Sequence, residues 1–231
     1  MPTLPPTTKA VILACVALFC IDVFVRLTGF FALWPLGSGN FFPWQMLTYA
    51  GLHGDVAHLF FNMLGLWIFG ADLERLWGRA RYLTFLAVCV VVAATAQLLV
   101  TSLIGSKVAT VGASGALFGL LLAYALSFPR RQFDLVGFIP VLFFMVPNTI
   151  VNMLGFALYI MLLTNRSAVP IPPVPVPAMT MVVIFGAIEL VLGLYFRAGA
   201  GVAHFAHLGG MLGGWLMMQY WRGRGPFKRR R

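Results

Sequence analysis

The chain has 231 residues, of which 61% are apolar and 10% are charged, and its mean hydropathy is +0.92. Soluble domains carry about 25% charged residues, so this composition excludes an ordinary soluble protein. It indicates an integral membrane protein made of helices, because a helix satisfies its own backbone polar groups in lipid. The net charge of +10 argues little for nucleic-acid binding, since six of the sixteen basic residues follow an apolar span within the last ten positions.

Six apolar runs predict membrane-spanning helices, over residues 10–29, 56–69, 82–103, 112–127, 179–195 and 202–221. Residues 30–54, between the first two runs, are rich in aromatic residues, Gly and Pro and contain no Lys or Arg. Such a composition favours the membrane interface, so we expect a connector in the outer leaflet. The predicted fold class is all-α: a polytopic membrane protein with a single membrane domain over residues 1–221 and a basic cytoplasmic tail over 222–231.

Residues 133–168 form an apolar insert between the fourth and fifth helices. The insert is apolar enough to span a bilayer, but Pro147 and Asn148 interrupt it, and basic residues bracket both of its ends. If both ends are cytoplasmic, the segment enters the membrane and returns, which predicts a re-entrant or interfacial hairpin. The Pro-rich stretch 169–177 that follows cannot be helical and is expected to be extended.

The distribution of basic residues predicts the orientation of the spans. With both termini in the cytoplasm, thirteen of the sixteen basic residues lie inside and only Arg26, Lys107 and Arg197 lie outside. This bias follows the positive-inside rule and suggests a multi-pass protein of a bacterial inner membrane. The fourth and sixth spans then run in the same direction, so their first residues share the outer half of the membrane.

Two polar residues lie at these matched starting positions. Ser114 begins the fourth span and His207 is near the start of the sixth. A serine becomes a nucleophile when a base within hydrogen-bond distance accepts its proton. Glycines four residues apart on both helices would let the backbones approach closely enough for that contact. These glycines are Gly115 and Gly119 on the fourth span, and Gly210 and Gly214 on the sixth. Generic helix packing is the alternative explanation of the glycines.

His58 and Asn62 are four residues apart and share one face of the second span, near its outer end. Donors at that position would hold the oxyanion of an acyl-transfer intermediate, although a pair that simply forms an interhelical hydrogen bond is the alternative. We expect His53 to have a structural role in the connector and His204 to face a neighbouring helix or the interface. Glu189 is expected to hydrogen-bond to a neighbouring helix, without a catalytic role.

Three motifs resemble those of the rhomboid intramembrane serine proteases. They are Gly112-Ala113-Ser114-Gly115, Ala206-His207-x-x-Gly210-x-x-x-Gly214 and His58-x-x-x-Asn62. The resemblance covers residues 10–131 and 169–221 and implies a six-helix core with a Ser114–His207 catalytic dyad. It also implies an oxyanion hole of His58, Asn62 and the Ser114 backbone amide, no metal or other cofactor, and Phe118 packed against the histidine ring.

Two features depart from the family pattern. Gln45 follows Trp44 at a position where some members have Arg, which changes how the connector is anchored. The insert at 133–168 is not part of the family core.

The predicted function is serine endopeptidase activity on transmembrane or juxtamembrane segments of membrane proteins, within the lipid bilayer. The expected partners are therefore transmembrane protein substrates and lipid, with no nucleic acid and no metal. One alternative is an inactive relative that binds and escorts membrane clients, although such a relative would be expected to lack Ser114 or His207. Another is a small transporter, which leaves the matched glycines unexplained. A zinc protease would need a His-Glu-x-x-His helix, and none occurs.

Overall fold

The computed structural model describes residues 3–143, 146, 148–165, 171–196 and 203–223. These residues are predominantly helical. The helices are α1 (Pro6–Val25), α2 (Thr28–Phe31), α3 (Gln45–Thr48), α4 (Val56–Gly65), α5 (Ala71–Trp77), α6 (Arg79–Ile104), α7 (Ser114–Ser127), α8 (Leu135–Phe143), α9 (Thr149–Thr164), α10 (Ala178–Phe196) and α11 (His204–Trp221). Two short strands, β1 (Gln132–Asp134) and β2 (Pro175–Pro177), pair antiparallel.

Four helices in the described part of the chain are long and apolar enough to cross a membrane. They are α1, the continuous helix Val56–Trp77, α6 and α10. A π-helical turn over Leu66–Gly70 joins α4 and α5 into that continuous helix. Helices α7 and α9 are apolar but shorter, and α11, whose 18 residues include two histidines and four glycines, is not among the four. The prediction of a helical membrane protein is confirmed, whereas the count of six spans stays a prediction.

Helix α11 packs against α6 and α7 at the centre of the fold, and glycines set the distance between them. A side chain at Gly210 would collide with the carbonyl group of Gly115, and one at Gly214 would lie 2.9 Å from the carbonyl oxygen of Gly119. The two backbones therefore touch along the faces that the sequence indicates. This contact brings the first turn of α11 beside the first residue of α7.

The connector between α1 and α4 is organised by Gln45, which is fully buried. Its side-chain oxygen accepts hydrogen bonds from the backbone amides of Trp34 and Phe42, and its amide nitrogen donates to the carbonyl oxygens of Phe30 and Asn40. These four bonds use both ends of the amide. The glutamine is thus the anchor of the connector.

A backbone bridge ties this connector to the segment that precedes α7. Leu33 and Thr110 exchange two backbone hydrogen bonds of 2.9 Å each. The ammonium group of Lys107 also donates to the carbonyl oxygen of Gly37. The chain immediately before Ser114 is therefore held by the connector.

The start of α1 is fixed to α5 by a buried carboxylate. Glu74 is 5% exposed and accepts hydrogen bonds from the backbone amides of Thr7 and Thr8 and from the Thr8 hydroxyl, at 2.6 to 2.9 Å. The helix begins at Pro6, four residues before the predicted start of the first span. This carboxylate caps amides at the helix N-terminus, where a negative charge is favourable.

The insert folds as a hairpin of two helices, α8 and α9, that pack on each other. Pairing of β1 with β2 brings the start of the insert beside the Pro-rich stretch that follows it in the chain. The described part of the Pro-rich stretch is extended, as predicted, with a strand over Pro175–Pro177. Residues 144, 145, 147 and 166–170 lie outside the described residues. The expectations for Pro147, and for the basic residue Arg166 near the end of the insert, therefore lie outside them as well. The side of the membrane that the hairpin enters stays a prediction.

Basic groups mark one end of the bundle. The Arg222 guanidinium donates to the carbonyl oxygen of Leu126 at the end of α7, and Arg81 lies over the Trp221 ring, 5.9 Å from its centroid. The beginning of α6 and the ends of α7 and α11 therefore meet, so α7 and α11 run in the same direction. Residues 224–231, most of the predicted cytoplasmic tail, lie outside the described part of the chain.

Candidate active site

The structure brings Ser114 and His207 together across the contact between α7 and α11. The Ser114 Oγ atom lies 2.7 Å from the His207 Nε2 atom. His207 is 8% exposed, and Ser114 is the first residue of α7. This distance is a short hydrogen bond, which is the geometry that a hydroxyl and its general base require.

The turn before Ser114 requires glycine at position 112. Gly112 has a φ of +119°, which L side chains rarely adopt, and a Cβ atom there would lie 2.6 Å from the His58 Nε2 atom. The Gly112 amide donates to the carbonyl oxygen of Tyr49 at 3.0 Å. The turn is therefore fixed between the connector and the His58 ring.

An aromatic ring sets the orientation of the imidazole. Phe118, about one turn after Ser114 on the same helix, stacks on the His207 ring with centroids 4.4 Å apart and an angle of 7° between the planes. The expected contact between Phe118 and the histidine is present. Stacking prevents the imidazole ring from turning. Its two nitrogens therefore stay in one plane, and one of them faces Ser114.

Glu189 occupies the other side of the imidazole. Its Oε1 atom lies 2.7 Å from His207 Nδ1, and its Oε2 atom lies 2.6 Å from His204 Nδ1. Glu189 and His204 are 0% and 1% exposed. The expected contact between Glu189 and a neighbouring helix is present, although its end on His207 was not predicted. One signal was available: an acid in an apolar span needs a buried donor, and α11 carries two histidines.

His58 and Asn62 lie on α4 beside the serine. Asp55 caps this helix by accepting from the His58 amide at 2.8 Å. The His58 Nδ1 atom faces the Gly54 amide at 3.5 Å, so we assign the ring proton to Nε2, which points at the turn before Ser114. The Asn62 side chain donates one hydrogen to the His58 carbonyl oxygen at 2.7 Å and has a second hydrogen to offer.

His53 lies behind His58, outside the membrane-spanning helices. Its ring packs edge-on against His58, with centroids 5.2 Å apart. Burial, and secondarily the neighbouring His58, lower the pKa of His53 to about 3. A buried ring that stays neutral fits the structural role predicted for this residue.

A cavity of about 340 Å³ joins these groups. Its lining includes the polar residues Asp55, His58, Asn62, Gln97, Ser114, Asn152, Glu189 and His207. Apolar walls come from α7, α10 and the insert hairpin, through residues such as Phe118, Phe185, Phe138 and Val141. The insert therefore contributes to the walls of the site, which its sequence did not indicate.

The chain belongs to the rhomboid family. The family model described as the rhomboid domain matches residues 41–159, which include His58, Asn62, Ser114 and the hairpin as far as Tyr159. His207 lies beyond the matched range. The match confirms the resemblance to this family, and with the apolar helices it defines an integral membrane protein of the family.

Two curated relatives illustrate the similarity. The rhomboid protease GluP of Bacillus subtilis (strain 168) is 38% identical over 92 residues, which are 39% of this chain and 17% of GluP. The rhomboid protease GlpG of Yersinia pestis (strain Pestoides F) is 24% identical over 222 residues, which are 94% of this chain and 62% of GlpG. The chain thus spans less than two thirds of the length of these relatives. Both are named as proteases.

Proposed function

We propose that this chain is an intramembrane serine endopeptidase in which Ser114 is the nucleophile and His207 is the general base. The observation that carries the proposal is the 2.7 Å contact between Ser114 Oγ and His207 Nε2 at the wall of the cavity. Membership of a family whose relatives are named proteases supports it independently.

The reaction begins with a proton transfer. As the Ser114 oxygen attacks the carbonyl carbon of the scissile peptide bond, its proton passes to His207 Nε2. The same nitrogen then gives that proton to the leaving amine, and the peptide bond breaks to leave an acyl group on Ser114. A water molecule, deprotonated by His207 in turn, hydrolyses this ester and regenerates the serine.

The oxyanion formed during the attack needs donors on the side opposite the base. The Ser114 amide has no acceptor within its own helix because it is at the N-terminus of α7, where the helix dipole also favours a negative charge. The His58 Nε2 proton and the second hydrogen of the Asn62 amide are the other two donors that we propose. Each donor of this type contributes roughly 10²–10³-fold in rate.

Hydrolysis also needs water inside a membrane protein. The buried side-chain oxygens of Asn62 and Gln97 line the cavity and have no protein partner among the described residues. Polar atoms of this kind hold water in an otherwise apolar site. The proposed substrates are transmembrane or juxtamembrane segments of membrane proteins, because a bond at this depth is reached from lipid and must be extended before attack.

The test compares wild-type protein with Ser114→Ala and His207→Ala, each purified in detergent and incubated with a single-span model substrate and a fluorophosphonate probe. We expect both substitutions to lower cleavage by about 10⁴-fold or more, and Ser114→Ala to abolish labelling. Ser127→Ala, at the other end of α7, is the matched control and keeps full activity. Cleavage that survives Ser114→Ala would overturn the proposal. Absence of cleavage and labelling by wild type would instead favour an inactive escort protein.

A further inference from the structure

We infer that Glu189 is a positioning residue that extends the Ser114–His207 pair to a three-residue arrangement, an inference that rests on the proposed function. Its Oε1 atom lies 2.7 Å from His207 Nδ1, while His207 Nε2 lies 2.7 Å from Ser114 Oγ. The carboxylate, the imidazole and the hydroxyl are therefore joined in one line of hydrogen bonds. The three residues come from three helices, α10, α11 and α7.

The carboxylate determines which nitrogen of His207 carries the proton. An ionised carboxylate only accepts hydrogen bonds, so the Nδ1 atom of His207 must donate. The neutral imidazole then has its lone pair on Nε2, where the Ser114 proton is received. Without the acceptor at Nδ1, the proton is free to reside on Nε2, and an imidazole in that form cannot act as the base for Ser114.

The carboxylate also stabilises the imidazolium formed during the reaction. Glu189 is completely buried, and a charge interaction is stronger in such a low-dielectric environment than in water. The serine proton moves from Oγ to Nε2 and then to the leaving amine. Glu189 stays ionised throughout and takes no proton, so its contribution is electrostatic and orientational.

His204 holds the second oxygen of the same carboxylate. Its Nδ1 atom lies 2.6 Å from Glu189 Oε2 and fixes the carboxylate in the plane that faces His207. This contact also gives a purely structural explanation of Glu189, namely a buried link between α10 and α11. A third explanation is a metal ion, because the ligand atoms of Glu189, His204 and His207 lie within 4.8 Å of one another and are of the types that zinc binds.

Several titratable groups surround the reacting imidazole and bear on any pH measurement. They are Glu189 from α10, His204 from α11, Ser114 from α7 and His58 from α4. Glu189 is the acid among them that contacts the ring. Neutralising it therefore removes the negative charge beside the ring.

The test measures kcat, KM, the pH profile of kcat/KM and the melting temperature of full-length wild type, Glu189→Gln and Glu189→Asp in detergent. Glutamine offers one acceptor and one donor to two imidazoles and carries no charge. We expect Glu189→Gln to lower kcat by about 10²–10⁴-fold with little change in KM. We expect the acid limb of its pH profile to move to lower pH. Glu189→Asp, which keeps the charge at a longer distance, should be roughly tenfold or more above Glu189→Gln and still below wild type.

Glu74→Gln is the matched control, because Glu74 is also a buried carboxylate that accepts several hydrogen bonds, but it joins α1 to α5 away from the cavity. It should lower the melting temperature and leave kcat and the pH profile unchanged. If Glu189→Gln does not fold, the comparison of Glu189→Asp with wild type decides the question. A folded Glu189→Asp with the kcat and pH profile of wild type would then overturn the inference.

The remaining outcomes separate this inference from the proposed function. An active wild type with a folded Glu189→Gln of equal kcat would leave the dyad in place and remove Glu189 from the mechanism. Loss of wild-type activity in EDTA that zinc restores would also overturn the inference, since the three side chains would then bind an ion. An inactive wild type, or an active Ser114→Ala, would overturn the proposed function and this inference with it.

Discussion

The contact between α7 and α11 and the hairpin of α8 and α9 are built in opposite ways, although both border the same cavity. In the first, glycines allow backbone to touch backbone, and a side chain at Gly210 has no space. In the second, aromatic side chains make the contacts. Phe60 and Phe61 of α4 pack edge-on against Phe156 and Tyr159 of α9, with ring centroids 5.1 to 6.3 Å apart.

The two regions also differ in exposure. Around the α7–α11 contact, Gly115, Gly119, Gly210 and Gly214 are all buried. On α9, Ile150, Met153 and Leu154 are 59 to 71% exposed, with apolar side chains that suit contact with lipid. Backbone contacts leave no freedom at the reacting atoms, whereas side chains can adjust to changes. This difference fits the roles that we propose, namely chemistry in the first region and the shape of the cavity in the second.

The largest effect should come from filling the backbone contact. Gly210→Val places a branched side chain against the Gly115 carbonyl group, so the helices must separate. We expect destabilisation of about 3 kcal/mol or more, together with loss of cleavage. Unfolding in SDS and cleavage of a model substrate measure both. Gly186→Ala is the control, because its Cβ atom would lie 3.4 Å from the flexible Met211 side chain. A stable and active Gly210→Val would contradict the role given to this contact.

A smaller effect is expected at the turn before the serine. Gly112→Ala must adopt a φ near +119° and displaces the His58 ring, which we propose as an oxyanion donor. We expect kcat to fall by roughly 10²–10³-fold, with KM little changed. Gly105→Asn is the control, since Gly105 has a φ of +68° in open space and Asn tolerates that conformation. An equal loss of kcat in both variants would contradict a specific role of the His58 ring, because a change of backbone conformation would then explain both.

Substitutions in the hairpin should change substrate binding more than chemistry. Phe138 and Val141 of α8 line the cavity, so Phe138→Ala and Val141→Ala enlarge it without touching Ser114 or His207. We expect KM for a single-span substrate to change by about 3–10-fold, with kcat within about twofold. Met153→Ala, at a position 68% exposed on α9, should change neither constant. A large loss of kcat in Phe138→Ala or Val141→Ala would contradict the proposed distinction between the two regions.

The smallest effect concerns stability in acid and arises in neither region. His53 has a pKa of about 3 in the folded protein, against about 6.5 for an exposed histidine, because it is buried and near His58. Below pH 6.5 the unfolded chain binds a proton at His53 that the folded chain excludes. The free energy of unfolding therefore decreases as the pH is lowered from 6.5 to about 3. Between pH 6.5 and pH 5 this amounts to about 2 kcal/mol.

The substitution His53→Asn should reduce this acid sensitivity. Melting temperatures at pH 6.5 and pH 5 for wild type and the variant provide the measurement. Cleavage rates at neutral pH should stay close to those of wild type, since His53 is proposed to contact neither the substrate nor the reacting atoms. An unchanged pH dependence of melting would show that other groups dominate acid unfolding.

Much of the fold and part of the candidate site could be predicted from the sequence because the signals are local. Apolar runs predict helices, since lipid requires internally bonded backbone, and the basic residues predict the direction of each span. Because the fourth and sixth spans run in the same direction, the sequence predicts that Ser114 and His207 lie at the same depth in the membrane. The spacing of glycines then predicts which faces of α7 and α11 meet, and the structure has those faces in contact.

What the tertiary structure decided depends on contacts that no local pattern encodes. Helix α10 is apolar on nearly every face, so its sequence does not say which face meets α11, and the position of Glu189 on His207 Nδ1 follows only from that packing. The pairing of β1 with β2 across the insert is likewise a contact between distant residues. Sequence by itself determined the family and the helical membrane architecture and singled out the serine and histidine as candidates, because these rest on short motifs and composition. The third group beside the histidine and the walls of the cavity were decided by how apolar helices rotate against one another.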